Sequence, residues 1–532
     1  MKREFISLIA VWLVLAAILT GVGEANLSSP GLYYDEAVFA GLAKDFLTGH
    51  APGNHMPGVL TVNISGAPFP LFVQPYLGAV KCWLLLPAFK VFGATLKVLR
   101  ATNLFLSVIA LLIFMLWTWR WLGLATALLA GALLALDPAF VYACGLDWGS
   151  LLPSMLCRFA GFFLVLLAWR RQRALWAFLS GVVFGLGFFN KIDFAVLLAG
   201  TGLAAACAYG KPATRFLLRP RIGVPLILGF LLGAGPMLLA LPFIISTILT
   251  QGAPGNPGEL AEKIQTLFAM YDGSYFYRLM DAGGLFDKMY EFPPPVWTPF
   301  GALLLAAAGV WLAGGRRPAS DDPNRRTGMF LILATGFVTL GVLILPGAVR
   351  IHHATLVYPF PHLIIAVCVV SLWKQPWKTL IHRRIAHWLT AALLLLLAAC
   401  ECFAIARTRH LIHETGGRGW WSDALVRFSS DVKDRPGLVI VSLDWGFNEQ
   451  LEFLTDAPRL EESFWKPASG TLPELPRDAH HLYLAYPPKY SLSPLGAQFM
   501  ASVARENPDS IIQPWRDRQG RIVFYSITFP KP

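Results

Sequence analysis

Apolar residues fall along this chain in long blocks separated by short polar or basic interruptions, and only after residue 406 does the pattern break into short mixed runs. A helix needs roughly 20 mostly apolar residues to cross the hydrocarbon core of a bilayer. Blocks of that kind predict eleven spans, at about 5 to 23, 98 to 119, 122 to 143, 150 to 169, 174 to 189, 192 to 209, 222 to 249, 297 to 314, 328 to 346, 355 to 373 and 388 to 406. The first follows Lys2 and Arg3 and is longer than a signal-peptide core, so it reads as an uncleaved helix with its N-terminus in the cytoplasm. A further apolar stretch, Pro75 to Gly93, contains Lys81, Pro87 and Lys90 and reads as a helix lying flat at the outer surface. If it crossed, every basic cluster described below would fall on the outside, against the positive-inside bias.

The tail patterns differently. Leu438 to Leu443, His481 to Tyr486 and Arg521 to Phe529 read as strands, with a helix from about Asp444 to Leu454. The fold class is therefore a polytopic α-helical membrane protein of about eleven transmembrane helices with outer juxtamembrane helices, followed by a small C-terminal α/β domain. The division is residues 1 to 406 for the membrane domain and 407 to 532 for the tail, with outer loops at 24 to 97 and 250 to 296. No Gly-rich phosphate loop follows the first tail strand, so the tail reads as a structural or acceptor-docking domain rather than a second active site.

Composition agrees with the pattern. With 55% hydrophobic and 14% charged residues, the chain departs from soluble proteins, which carry roughly a quarter charged residues, and from disordered ones. The net charge of +12 raises nucleic acid as a partner, but residues 407 to 532 carry fifteen bases and fifteen acids, so the surplus lies in the membrane domain. There it clusters between spans, at Arg170, Arg171 and Arg173, at Lys211, Arg215, Arg219 and Arg221, at Arg316, Arg317, Arg325 and Arg326, and at Lys374, Lys378, Arg383 and Arg384. That is the signature of cytoplasmic loops, not of a nucleic-acid face. None of the seven cysteines lies in the hydrophilic tail, and no disulfide framework or zinc site is readable.

This sidedness places several reactive side chains together outside. Asp35 and Glu36, in Tyr33-Tyr34-Asp35-Glu36, occupy the first turn of an amphipathic helix just after span one. Acids there also satisfy a helix N-terminus, which is the plain alternative. Asp147, in Gly145-Leu146-Asp147-Trp148, lies between spans three and four at the same face, so two carboxylates can supply a general base and an electrostatic or metal-binding partner. Lys191, beside Asp193 in the hairpin between spans five and six, and Arg350, His352 and His353 before span ten are outer cations suited to a phosphate. A snorkelling lysine paired with Asp193 is the competing view of Lys191. Arg158, inside span four, is a donor-phosphate candidate, with pairing to Asp137 or a carbonyl as the alternative. Tyr271, Tyr275, Tyr277 and Arg278, then Glu291 to Pro295, and Tyr358 farther on suit a substrate loop or lid, or membrane-interface anchoring.

Tyr34-Asp35-Glu36 with its amphipathic helix, Gln74-Pro75-Tyr76-Leu77-Gly78-Ala79 opening a flat helix that ends at Phe92-Gly93, Arg100, Leu146-Asp147 and Asn190-Lys191 together resemble the GT-C class of membrane glycosyltransferases, in its protein O-mannosyltransferase and lipid A aminoarabinose transferase branch. The likeness covers most of residues 1 to 210. It implies an inverting transfer of a sugar from a polyprenyl-phosphate donor to a protein, lipid or glycan acceptor on the extracytoplasmic face. Asp35 would be the catalytic base or an acceptor-positioning acid, Glu36 its neighbour, Asp147 the second acid and Lys191 a donor-phosphate contact, with Arg350, His352 and His353 matching the location of the last outer loop. The branches differ in metal dependence, so a divalent metal at Asp35 and Asp147 stays open. The partners expected are the lipid-linked donor, an acceptor of unspecified class and the bilayer, without nucleic acid, in a bacterial inner membrane. The alternatives are a lipid-linked saccharide flippase, for which Pro236 and Pro242 hint at a broken helix, and a non-catalytic envelope assembly protein.

Overall fold

The computed structural model describes all residues except 1, 51–58, 147–148, 252–256, 285–296, 315–322, 348–349, 376–378, 457–458, 465–474 and 531–532. Of the expected calls, Asp147, Trp148 and the stretch from Glu291 to Pro295 lie outside the described residues.

Each expected span is a helix or a helix pair. Seven stretches among the described residues are long and apolar enough to cross a membrane. They include α1 (Lys2–Glu24), which leads to the short surface helices α2 (Tyr34–Thr48) and α3 (Val80–Phe92), and α4 (Leu96–Leu122), capped by Thr95 Oγ1 accepting from Val98 N at 3.3 Å. The next span is broken. Helices α5 (Leu124–Leu136) and α6 (Pro138–Gly145) meet at 63°, because Pro138 cannot continue the helix and Asp137 starts a new one by accepting from Phe140 N at 3.0 Å.

Helix α7 (Leu151–Arg171) is followed by two shorter apolar helices, α8 (Ala174–Asn190) and α9 (Phe194–Tyr209), then α10 (Lys211–Leu217) and α11 (Pro220–Gln251). The hint of a break at Pro236 and Pro242 is corrected: α11 runs through both, and the broken span is α5–α6. Helices α8 and α11 interlock through paired glycines. A Cβ at Gly181 or Gly185 would lie 2.1 Å from Leu226 O or 2.4 Å from Phe230 O, and one at Gly229 or Gly233 would lie 2.1 Å from Phe178 O or 2.2 Å from Val182 O. Backbones this close exclude any side chain, the small-xxx-small logic of membrane helix pairs.

Helices α12 (Pro257–Tyr271) and α13 (Tyr275–Ala282) form the second surface segment. The shorter apolar α14 (Phe300–Gly314), then α15 (Pro323–Ile344), the single turn α16 (Ile351–Ala354), α17 (Phe360–Lys374) and α18 (Leu380–Thr415) complete the bundle. Helix α18 carries nine residues of the segment after 406, so the tail domain folds from Gly416 onward.

The expected flat helix over Pro75 to Gly93 is two elements. Strands β1 (Leu60–Ile64), β2 (Ala67–Gln74) and β3 (Leu77–Gly78) make a small antiparallel sheet, so Pro75 and Tyr76 form a hairpin turn and the helix begins at Val80. At thirteen residues α3 is too short to span.

In the tail, α19 (Ala424–Val432) precedes β4 (Val439–Ser442), α20 (Asn448–Leu454), β5 (Arg459–Glu462), β6 (His481–Ala485), α21 (Leu495–Glu506), β7 (Ile511–Arg516) and β8 (Ile522–Thr528). The sheet order is β5-β4-β6-β8-β7, with β4 parallel to β5 and β6 and the other pairs antiparallel. Alternation gives the sheet two cores. Val441, Tyr483 and Ile527 pack with Phe499 of α21, while Ile440, Leu482 and Leu484 join the core that is continuous with the membrane helices.

Candidate active site

Asp35 and Glu36 are adjacent in the first turn of α2 but face different surroundings. Glu36 is anchored. Its carboxylate accepts from Arg100 Nε at 2.9 Å and Nη2 at 2.7 Å, and from Tyr33 N at 3.0 Å. Arg100 also donates to Asn26 O, Pro30 O and Gly31 O at 2.8 to 2.9 Å, and both side chains are buried. The pair therefore ties the start of α4 to the turn that enters α2. The expectation of Glu36 as a reacting neighbour gives way to a positioning role, since both of its oxygens are held by the protein.

Asp35 is turned toward cations. The charges that act on it are those of Arg350, Lys191 and Lys81, in that order, and they pull its pKa down while burial pushes it up more strongly, leaving it above the ordinary aspartate value. Lys81 is the residue that sequence reasoning placed wrongly: it does not face a bilayer surface but is buried, donating to Gly149 O at 3.0 Å. Burial lowers it to about 7, against the opposing charges of Glu36 and Asp35. A lysine in the first turn of an otherwise apolar helix, well apart from Lys90 at its far end, was the available signal.

The backbone at Gly149 and Ser150 passes this point. A Cβ on Gly149 would lie 3.8 Å from Asp35 Cβ and 3.4 Å from the Phe39 ring, and Asn190 Nδ2 donates to Ser150 O at 2.8 Å. Residues 149 and 150 are thus pinned from two sides, next to Asp35.

Lys191 lies 3.2 Å from Asp193 and 2.9 Å from His353 Nε2, so the pairing with Asp193 and the meeting with the last outer loop both occur. Burial and the neighbouring Lys191 hold His352 and His353 well below the ordinary histidine value, which makes them neutral. His353 Nδ1 accepts from Arg350 N at 3.4 Å while its Nε2 meets Lys191, so the histidine links the two. Burial also lowers Lys191 itself, against the pull of Asp193 and Asp35. Arg350 hydrogen-bonds the Tyr33 hydroxyl, whose ring stacks on Trp421 at 3.9 Å. The site is thus closed on one side by the tail. Lys44 strengthens the seat, donating to Glu452 O, Phe453 O and Thr455 O at 2.9 to 3.0 Å and pairing with Asp456 at 2.7 Å.

The remaining expected residues lie elsewhere. Arg158 is fully buried and donates to Thr355 O, Leu356 O and Tyr358 O at 2.6 to 3.2 Å and to Ser154 Oγ at 2.9 Å. Of the two alternatives to phosphate binding, carbonyl pairing is the one found, and it braces the segment behind Arg350 to His353. Tyr358 donates to Asp137 Oδ2 at 2.8 Å and His362 meets the same oxygen at 3.1 Å, inside the bundle. Tyr271 stacks on Phe300, Tyr275 is buried against Phe276, and Tyr277 lies under Arg407. With Arg278 they belong to the end of α12 and to α13, which packs on α18. That segment is a wall of the fold rather than an open lid.

Among the described residues no group of three His, Cys, Asp or Glu gathers to hold a metal. Among the described residues the charges that act on Asp35 are those of three cations, a setting that suits an anion.

No protein-family model and no curated protein sequence matches the chain. Solved structures do. ArnT from Cupriavidus metallidurans bound to undecaprenyl phosphate superposes with a TM-score of 0.57 at 11% identity, over 99% of this chain and 98% of that one. The same protein in the apo state gives 0.54 over the same shares. The archaeal oligosaccharyltransferase AglB from Archaeoglobus fulgidus, in complex with an inhibitory peptide and a dolichol-phosphate, gives 0.50 at 13% identity, over 85% of this chain and 64% of that one. Matched from end to end, membrane bundle and tail together, the chain has an ArnT-like fold.

Proposed function

We propose that the protein is an inverting glycosyltransferase that moves a sugar from a polyprenyl-phosphate donor to an acceptor hydroxyl or amine at the extracytoplasmic face of a bacterial inner membrane. One observation carries this reading: a carboxylate of raised proton affinity, Asp35, set among Arg350, Lys191 and Lys81. A base beside an anion clamp is what displacement of a phosphate leaving group needs. The two fold neighbours with undecaprenyl phosphate and dolichol-phosphate bound support a lipid-linked donor.

In this mechanism the acceptor's O–H or N–H approaches Asp35, which takes the proton as the acceptor atom attacks the anomeric carbon. The bond from that carbon to the donor phosphate oxygen breaks with inversion, and polyprenyl phosphate leaves with its charge neutralised by Lys191, Lys81 and Arg350. His353, in contact with both Arg350 N and Lys191, positions the two cations relative to each other. Asp147 is kept as the second acid of the proposal. The clamp makes a metal unnecessary, so transfer is expected to persist in chelator.

Asp35→Asn tests the assignment. It should reduce transfer by about 10²- to 10⁴-fold, the usual contribution of a positioned base, while donor binding persists. Transfer near the wild-type rate by a folded Asp35→Asn protein would remove Asp35 as the base.

A further inference from the structure

At the membrane face opposite the site the bundle contains a cavity of about 610 Å³, well inside the roughly 300–1,000 Å³ of ligand pockets. Its walls are aromatic and aliphatic, and the lining reaches the ends of α4, α7 and α9 at Trp121, Arg170 and Tyr209, the end taken as its mouth. Arg100 marks the site end of α4, so at 1.5 Å per residue Trp121 lies ~31 Å away, a full hydrocarbon thickness. Along α9 the lining runs from Leu198 to Tyr209, a depth of ~16 Å by the same rise. One leaflet of hydrocarbon is ~15 Å deep.

Polar atoms inside are already engaged. Thr201 Oγ1 donates to Leu197 O at 2.6 Å and Tyr209 meets Thr327 at 3.4 Å, which leaves the interior suited to an alkyl chain. The mouth is different. The two loops beside it, 170–173 and 211–221, carry seven bases, and the sequence contains no acid from residue 148 to 192 or from 194 to 258. Arg170 lines the opening itself, and α10, which bears Lys211 and Arg215, contributes Ala213 and Phe216 to the wall.

We propose that this cavity is a binding site for one acyl chain of an anionic phospholipid from the leaflet at the arginine face, with its phosphodiester against Arg170 and the bases of α10. An alkyl slot one leaflet deep, with Arg170 in its lining and the bases of α10 beside it, matches a phosphatidylglycerol in length, polarity and charge. The far end of a polyprenyl chain would fill the slot but leave the rim without a counter-charge. The site is independent of the transfer reaction proposed above.

The test uses the full chain, freed of lipid in detergent and mixed with vesicles of equimolar phosphatidylglycerol and phosphatidylcholine, with bound lipid read by native mass spectrometry. Wild type should retain one phosphatidylglycerol, favoured by roughly fivefold for each base engaged, since each is worth ~1 kcal/mol near a charged lipid. Gly202 lines the cavity and a Cβ there meets nothing within 4 Å, so Gly202→Phe should fill the slot and abolish retention. The Arg170→Gln/Arg215→Gln double variant leaves the walls intact and should lose the preference between the two lipids; it decides the matter if the filled variant fails to fold. Equal retention of both lipids by wild type, undiminished retention by a folded Gly202→Phe, or displacement of the phospholipid by added polyprenyl phosphate would each overturn the proposal.

Discussion

Successive residues on a helix point about 100° apart, and that rotation divides the work of Asp35 and Glu36. Glu36 is buried against Arg100, so breaking the pair strands a charge. Arg100→Leu is expected to destabilise the protein by about 3–5 kcal/mol, read as a fall in thermal melting, whereas Asp35→Asn should melt as wild type does while losing transfer. The reverse pattern would exchange the two roles. The pH dependence of kcat/KM follows from the shifts at the site. Asp35 must be ionised to take a proton, so its raised pKa moves the acid limb above the ordinary aspartate range. Lys81 must be charged to hold phosphate, and at about 7 it sets an alkaline limb near neutrality. Lys81→Arg should carry that limb to higher pH; a limb unmoved by this variant would remove Lys81 from the clamp. The pair of acids was readable in the sequence, but their division of roles was not, because Arg100 lies 64 residues from Glu36. Lys81 was hidden for the same reason: its partner Gly149 O is 68 residues away, and a lysine alone among apolar residues reads as snorkelling.

Elements followed the hydrophobic pattern wherever length decided. All eleven apolar blocks became helices or a helix pair, because in lipid the backbone has few other ways to satisfy its hydrogen bonds. Breaks were harder to place. Three prolines lie within α11 without ending it, while one proline after Asp137 turns the chain by 63°, since a capping carboxylate there supports a new start. In the tail, β5 and β7 escaped notice for physical reasons: both are edge strands, the first largely charged and the second containing Pro514. The glycine contact between α8 and α11 makes its own prediction. Gly185→Leu should force the helices apart, costing about 1–3 kcal/mol or more and weakening transfer, because α8 ends beside Lys191. Gly235→Leu, whose Cβ would meet nothing within 4 Å, is the matched control and should melt as wild type does.

At the scale of the whole molecule, the tail is part of the site's architecture. Gly31 N donates to Trp421 O at 2.7 Å, a Cβ on Gly31 would lie 2.0 Å from Ser422 O, and Lys44 holds the last carbonyls of α20. Lys44→Met should loosen this seat, seen as faster proteolysis of the tail and reduced transfer; unchanged proteolysis would show the tail held by its aromatic contacts alone. The sequence disclosed that an α/β tail exists, but not that the tail rests on α2, since the contacts join segments some 400 residues apart. The central claim is sugar transfer from a lipid phosphate at Asp35. The purified protein, offered a panel of polyprenyl-phosphate sugars in lipid nanodiscs, should release free polyprenyl phosphate from at least one of them, with the transferred sugar inverted at its anomeric carbon. Consumption of no donor in the panel, or equal consumption by Asp35→Asn, would contradict it.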